Sequence, residues 1–380
     1  MTSVLEQIPG VASSDATAPR VLQCLSDLSP GRMTRRAIMT TRGIVEGGGI
    51  SVVASAGGRF ETHMHRAGAQ LLPFQPQRAM VFQNRVNLDV LETVASQGIK
   101  LVHLHGVAEA QGVKALADAA SLPVVQTLHD VADAGGFFQR RATRRHLVGD
   151  VLVAVSRYVA DCVARDFRGM GERVHVVPPG FDLDALSDQE VSAPRTIALA
   201  EKWGLIEDPS AVILVPDACT DTRWLQSMAQ AMTAREDVVW VLIGEEDSTP
   251  PPSLPERVIW VPGTDDLAAA MKLASVVVCA PDLPVAACDS ALEAQAMGRP
   301  VIVSDAGAGA ESLDAGRSGW LVPAGDGTAL AQAVGEALGL DPSQRAHMGL
   351  AGRAFVQGHF SHERTHAALM GVYDQVLRCA

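Results

Sequence analysis

The sequence predicts an α/β protein of two tandem, doubly wound domains, each a parallel sheet with helices on both faces. Three observations lead there. At 380 residues the chain exceeds what a single core supports, so two domains of roughly 150–200 residues are expected. Its apolar runs are short and continuous rather than alternating, which marks strands buried on both faces. Those runs alternate with Ala- and Leu-rich stretches of helical length, the order that builds parallel sheets.

The first 20 residues, rich in Ser, Ala, Thr and Pro, are expected to be disordered. A strand-like run begins at 21–25. Further strands are expected at Ile50-Ser51-Val52-Val53-Ala54, at Leu101-Val102-His103-Leu104-His105 and over 123–128 and 151–155, with helices over 108–120 and 158–167. After a connecting segment, 184–209, a second series places strands at 211–215, 238–243, 257–261, 276–280 and 300–303. Helices are expected between them at 224–232, 266–274 and 329–338. Two such domains, 21–190 and 191–360, would face a ligand across a cleft at the carboxyl ends of their strands.

Hydrophobic residues make up 47% and charged residues 19%, which suits a well-buried globular chain rather than a fibrous or disordered one. The net charge of -12 argues against nucleic acid as a partner, since phosphate binding needs a basic face. The six cysteines (Cys24, Cys162, Cys219, Cys279, Cys288, Cys379) form no C-x-x-C pair and no zinc-ligand spacing, so reduced thiols and no metal site are expected. The amino-terminal stretch carries acidic residues and no apolar signal core, and no 18-residue apolar run follows. The expected location is cytoplasmic.

The segment Leu292-Glu293-Ala294-Gln295-Ala296-Met297-Gly298-Arg299-Pro300-Val301-Ile302-Val303-Ser304-Asp305 runs on into Gly307-x-Gly309-x-Glu311 and Gly316-x-x-Gly319-Trp320-Leu321-Val322-Pro323. This run resembles the signature of the family-4 glycosyltransferases of GT-B fold. Leu101 to His105, Thr127-Leu128-His129-Asp130, Val155-Ser156 and Val176-Val177-Pro178-Pro179-Gly180-Phe181-Asp182 resemble further family motifs, so the likeness spans about residues 21 to 379. Val53-Ala54-Ser55-Ala56-Gly57-Gly58-Arg59 leans towards bacterial members that build lipopolysaccharide or related surface glycans. The resemblance implies two Rossmann-like domains and a final helix, within 361–380, that crosses back onto the first.

It also implies a nucleoside-diphosphate-sugar as co-substrate, with no other cofactor. A carboxylate at a helix start, Glu293, can accept both ribose hydroxyls, and the Gly307/Gly309 loop lets backbone N–H groups approach a diphosphate or sugar. The competing reading of Glu293 is a first-turn acid favoured by the helix dipole. Gly244, Glu245, Pro262 and Gly263 would border the base by fold analogy. In the first domain, His105 at a strand end is the candidate catalytic residue, orienting the transferred sugar. A satisfied structural histidine is the alternative, and His103 shares its face by period-two alternation. Gly31, His129, Ser156 and Gly180 complete the expected acceptor side, although His129 with Asp130 also suits a loop-structuring role.

Departures from the family pattern fall on the chemistry. Val285 stands where the first Glu of a Glu-x7-Glu motif belongs, and Ala287-Cys288 replaces Phe-Gly. A valine cannot make the carboxylate's hydrogen bonds to a sugar. After the strand at 211–215, Ala218 takes the expected Arg position, leaving Arg223 as the one cation for the diphosphate or a solvated helix-start cation. Asp217 and Asp221 bring the wrong sign beside it. At the amino end, Ser29-Pro30-Gly31-Arg32-Met33 keeps one of two expected glycines.

Phe137-Phe138-Gln139-Arg140-Arg141-Ala142-Thr143-Arg144-Arg145-His146 is the densest cation run in an acidic chain. Arg140, Arg141, Arg144 and Arg145 suit a patch that docks the inner-membrane surface or an anionic glycolipid, and equally a solvated helix face. The expected activity is sugar transfer from a nucleotide-sugar to a lipopolysaccharide, surface-polysaccharide or lipid-linked acceptor, with retention by family analogy. The alternative is a catalytically silent GT-B protein that binds a glycan, a nucleotide-sugar or a partner transferase.

Overall fold

The computed structural model describes residues 18–74, 88–107, 109–130, 137–205, 211–218, 228–229, 231–232, 238–245, 248–251, 254–264 and 266–379. The chain divides into two compact units, Met1–Gly180 with His362–Ala380, and Phe181–Ser361.

The first unit holds β1 (Arg20–Cys24), β2 (Ile50–Ser55), β3 (Gln70–Pro73), β4 (Leu101–His105), β5 (Val124–Leu128), β6 (Val151–Ala154) and β7 (Val174–Val176). Every pairing is parallel, in the order β3-β2-β1-β4-β5-β6-β7. All residues of β4 and β5 are buried, as continuous apolar runs demand. Alternate residues feed two cores. Val21, Leu101, Val125 and Val153 meet Ile44 of helix Arg32–Glu46 and Leu369, Val372 and Tyr373 of the last helix, His362–Cys379. Leu22, Cys24, Val102 and Leu104 meet Val90 and Val94 of helix Leu88–Gln97 and Val113 and Leu116 of helix Ala110–Ala120. Each such side chain contributes about 1.5–3 kcal/mol by leaving water, so the last helix is anchored in the first unit by its own apolar stripe.

The second unit holds β8 (Ala211–Val215), β9 (Val238–Gly244), β10 (Val258–Pro262), β11 (Val276–Cys279), β12 (Val301–Ser304) and β13 (Gly319–Val322), ordered β10-β9-β8-β11-β12-β13. Val212, Leu214 and Val277 enter one core, and Ile213, Val215 and Val278 the other. In both sheets the strand order reverses once, between β1 and β4 and between β8 and β11. The crevice outside the carboxyl ends at such a reversal is where open α/β sheets take ligands. The helix expected at 224–232 lies largely outside the described residues. Among the described residues, no helix is long and apolar enough to cross a membrane.

Candidate functional site

In the first unit the reversal between β1 and β4 is filled by polar side chains. Gln23, His103 and His105 interrupt strands that are otherwise apolar, and all three are buried. The register sets Gln23 beside His103 and His105 beside Thr127, so alternation aims them at one face. His103 bonds to the Tyr373 hydroxyl through Nδ1 at 2.6 Å and to Thr127 Oγ1 through Nε2 at 2.7 Å. Its ring stacks on His105 with centroids 4.1 Å apart.

His105 is 2% exposed, with both nitrogens engaged: Nε2 with Gln23 Oε1 at 2.8 Å and Nδ1 with His129 Nε2 at 3.2 Å. His129 Nδ1 lies 3.3 Å from Arg36 Nη1. At the far end the Gln23 amide nitrogen donates to Thr41 Oγ1 at 2.7 Å and Ser51 Oγ at 2.9 Å. Burial, then the positive charge of Arg36, lowers the His105 pKa to about 3. His129 is held well below the usual range by burial, then by His105, Arg36 and His103. Burial and the neighbouring His105 do the same to His103. The imidazoles are therefore neutral at neutral pH.

Two cavities lie among the described residues of the first unit. One of about 50 Å³, lined by Arg36, His105, His129, Thr365 and His366 among others, has room for a few water molecules but not for a sugar. The other measures about 500 Å³, within the range of small-molecule sites. Asp27, Gly31, Arg32, Gly106, His129 and Asp130 line it, at the carboxyl ends of β1, β4 and β5. Gly31 precedes helix Arg32–Glu46, whose first-turn amides are not used within the helix. The structure thus brings Gly31 and His129 to one cavity. Ser156 instead caps helix Arg157–Asp166, accepting from the Val159 amide at 3.2 Å. Gly180 is a close-approach position, where a Cβ would meet the Thr365 side chain at 2.8 Å.

Arg140, Arg141, Arg144 and Arg145 lie exposed on helix Phe137–Arg145, with Arg140 3.6 Å from Asp166. The side chains of Phe137 and Phe138 lie outside the described residues.

In the second unit, Glu293 is 9% exposed and is the fifth residue of helix Asp289–Ala296. This corrects the expected helix-start position: a second-turn carboxylate gains little from the dipole, which acts within the first turn. All eight residues of this helix are buried, so Glu293 is held rigidly. Val285 pairs through its backbone with Gly307, and its carbonyl accepts from Ala308 N at 2.8 Å. Gly307 has φ +64°, and a Cβ there would strike the Val285 backbone. The Cys279 thiol is pushed well up by its hydrogen bond to Cys288, then by burial and by the Cys288, Asp217 and Glu293 charges. Ala218 is buried, and Arg223 lies outside the described residues. Gly244 and Pro262 are register partners at the ends of β9 and β10, with Glu245 and Gly263 next in sequence.

Sequence reading missed three groups. Gln23 and Arg36 are the ends of the histidine chain, and a lone Gln in an apolar strand was the available signal. Glu109 is 4% exposed; Oε2 accepts from Ser26 Oγ at 2.7 Å, while Oε1 meets no partner among the described residues.

Two parallel sheets, each with a reversal crevice, and a last helix that packs in the first unit define the GT-B class. Family models match in tandem: Glycosyltransferase Family 4 over residues 46–185 and Glycosyl transferases group 1 over 220–339. The chain belongs to the family-4-type glycosyltransferases of GT-B fold. It is 28% identical over 304 residues to the D-inositol 3-phosphate glycosyltransferase of Xylanimonas cellulosilytica, spanning 73% of this chain and 72% of that one. A glycosyltransferase from Rickettsia africae superposes with TM-score 0.81 at 18% identity, over 96% of this chain and 100% of that one. HepE of Anabaena in complex with UDP-glucose superposes with TM-score 0.76 at 16% identity, over 94% and 99%.

Proposed function

We propose that the protein transfers a hexose-type sugar from a nucleoside diphosphate to a hydroxyl of an anionic acceptor, a phosphorylated polyol or a lipid-linked or surface glycan, with retention of configuration. The observation that carries this is the cavity of about 500 Å³ beside His129, rimmed by Arg32 and the amino end of a 15-residue helix. The amino end of the helix, its dipole and the Arg32 guanidinium favour a phosphate there, against the Asp27 and Asp130 carboxylates that share the lining. The cavity is large enough for a sugar or cyclitol. A relative named for D-inositol 3-phosphate supports that acceptor chemistry, and the neighbour solved with UDP-glucose supports the donor class.

On the donor side, Glu293 accepts from the ribose hydroxyls, the Gly307/Gly309 loop and Arg223 meet the diphosphate, and Gly244, Glu245, Pro262 and Gly263 border the base. Docking of the exposed Arg141, Arg144 and Arg145 on an anionic surface would bring a lipid-linked acceptor within reach.

A second reading, a silent nucleotide-sugar or glycan binder, draws on Val285: its backbone closes against the Gly307 loop and its side chain offers a sugar no acceptor. One experiment separates the two. Donor hydrolysis and transfer are measured with a panel of nucleotide-sugars, with D-inositol 3-phosphate as the first acceptor and Glu293→Ala as control. Turnover abolished by the substitution supports the transferase. Saturable nucleotide-sugar binding without turnover supports the silent binder, and neither binding nor turnover sinks both.

A further inference from the structure

The chain Arg36–His129–His105–Gln23 has one direction available to it. Arginine only donates, so His129 Nδ1 must accept. A neutral His129 then carries its hydrogen on Nε2 and donates to His105 Nδ1. His105 in turn carries its hydrogen on Nε2 and donates to Gln23 Oε1. That orientation points the Gln23 amide nitrogen at Thr41 and Ser51.

The other end reaches the same answer independently. Gln23 faces two hydroxyls that also touch each other, with Thr41 Oγ1 3.1 Å from Ser51 Oγ. The two amide hydrogens serve both contacts and leave a hydroxyl hydrogen for the third. A Gln oxygen there would consume both hydroxyl hydrogens and leave the third contact with none. Strength is unequal along the chain. The Gln23 contact is 2.8 Å, whereas Arg36–His129, at 3.3 Å, exceeds the usual 2.7–3.2 Å range and is the easiest to exchange.

We propose that Gln23 is a positioning residue that fixes the polarity of the His105–His129 pair, so that His129 offers Nδ1 as a hydrogen-bond acceptor beside the cavities it lines. A ligand hydroxyl can then replace Arg36 as donor, whereas an ether or carbonyl oxygen cannot. His105 is thereby a relay within the protein rather than a group that touches substrate. The hydroxyl-bearing ligand rests on the transferase reading; the polarity does not.

The test uses the full chain labelled with ¹⁵N-histidine, its rings assigned through His105→Gln and His129→Gln. Long-range ¹⁵N–¹H correlation spectra should show the Nε2–H tautomer on both rings. Arg36→Ala should leave both tautomers in place, because Gln23 still holds them, and Gln23→Glu, which keeps an acceptor, should do the same. Gln23→Leu combined with Arg36→Ala, which removes the directional contacts at both ends, should mix the tautomers. Gln23→Leu should also raise KM about tenfold for the acceptor, with Gln23→Glu recovering most of that loss. An Nδ1–H on either ring of the unmodified protein overturns the proposal, as do unchanged tautomers in the Arg36→Ala/Gln23→Leu double variant. These spectra decide the polarity even if no donor turns over, so failure of the transferase reading remains a separate result.

Discussion

His103 Nδ1 lies 2.6 Å from the Tyr373 hydroxyl, tying the central strand of the first sheet to the helix that ends the chain. The rings meet edge to face, with centroids 5.7 Å apart at 81°, and both side chains are buried. Thr127 occupies the other imidazole nitrogen. Tyr373→Phe should therefore cost about 1–3 kcal/mol, because it strands a buried ring nitrogen. Urea unfolding checks it through a lowered midpoint with unchanged slope; an unchanged midpoint would show that the hydroxyl carries no load.

Acid should destabilise the fold through the same histidines. His105 has a folded pKa of about 3 against 6.5 in the unfolded chain. Between those values the unfolded state binds more protons, so stability rises with pH. The contribution is fully present above pH 6.5 and is lost as pH falls towards 3. His103 and His129, lowered in the same direction, act with the same sign. The slope approaches about 1.4 kcal/mol per pH unit for each such imidazole. Denaturant midpoints from pH 4 to 8 would show it, and a flat profile between pH 4 and 6.5 would contradict it.

Gly307→Ala tests the donor-side loop. At φ +64° with the Val285 backbone against it, a methyl group must displace the loop. The expected loss is about 2 kcal/mol or more of stability. It should come with at least tenfold weaker binding of UDP in a calorimetric titration, since the loop's amides move. Gly325→Ala, also at positive φ but with open space around its Cβ, should lose only the smaller backbone share.

Reversing Arg141, Arg144 and Arg145 to Glu should leave folding intact, since all three are exposed. Co-sedimentation with vesicles containing anionic phospholipid should fall severalfold and lose its dependence on salt, each cation being worth about 1 kcal/mol near such a surface. Equal binding by both proteins would return this run to an ordinary solvated face.

The sequence was legible wherever physics is local. Continuous apolar runs mark the strands, and the Leu292–Pro323 stretch marks the class. Helix Arg32–Glu46 is hidden in the sequence because Thr34 and Thr41 occupy buried positions where an apolar pattern would show, the Thr41 hydroxyl serving a polar seam. The Glu293 position was misjudged for a related reason: a helix buried on every side has no amphipathic stripe to mark where it starts.

What the sequence determined by itself was the class, two parallel-sheet domains with a family signature intact from Glu293 onward and altered at Val285 and Ala287-Cys288. What only the tertiary structure decided was which polar groups meet. Gln23, Arg36, His105, His129 and Tyr373 come from three strand ends and two helices far apart in the chain. Hydrogen-bond direction depends on distances of about 3 Å that no spacing in sequence encodes.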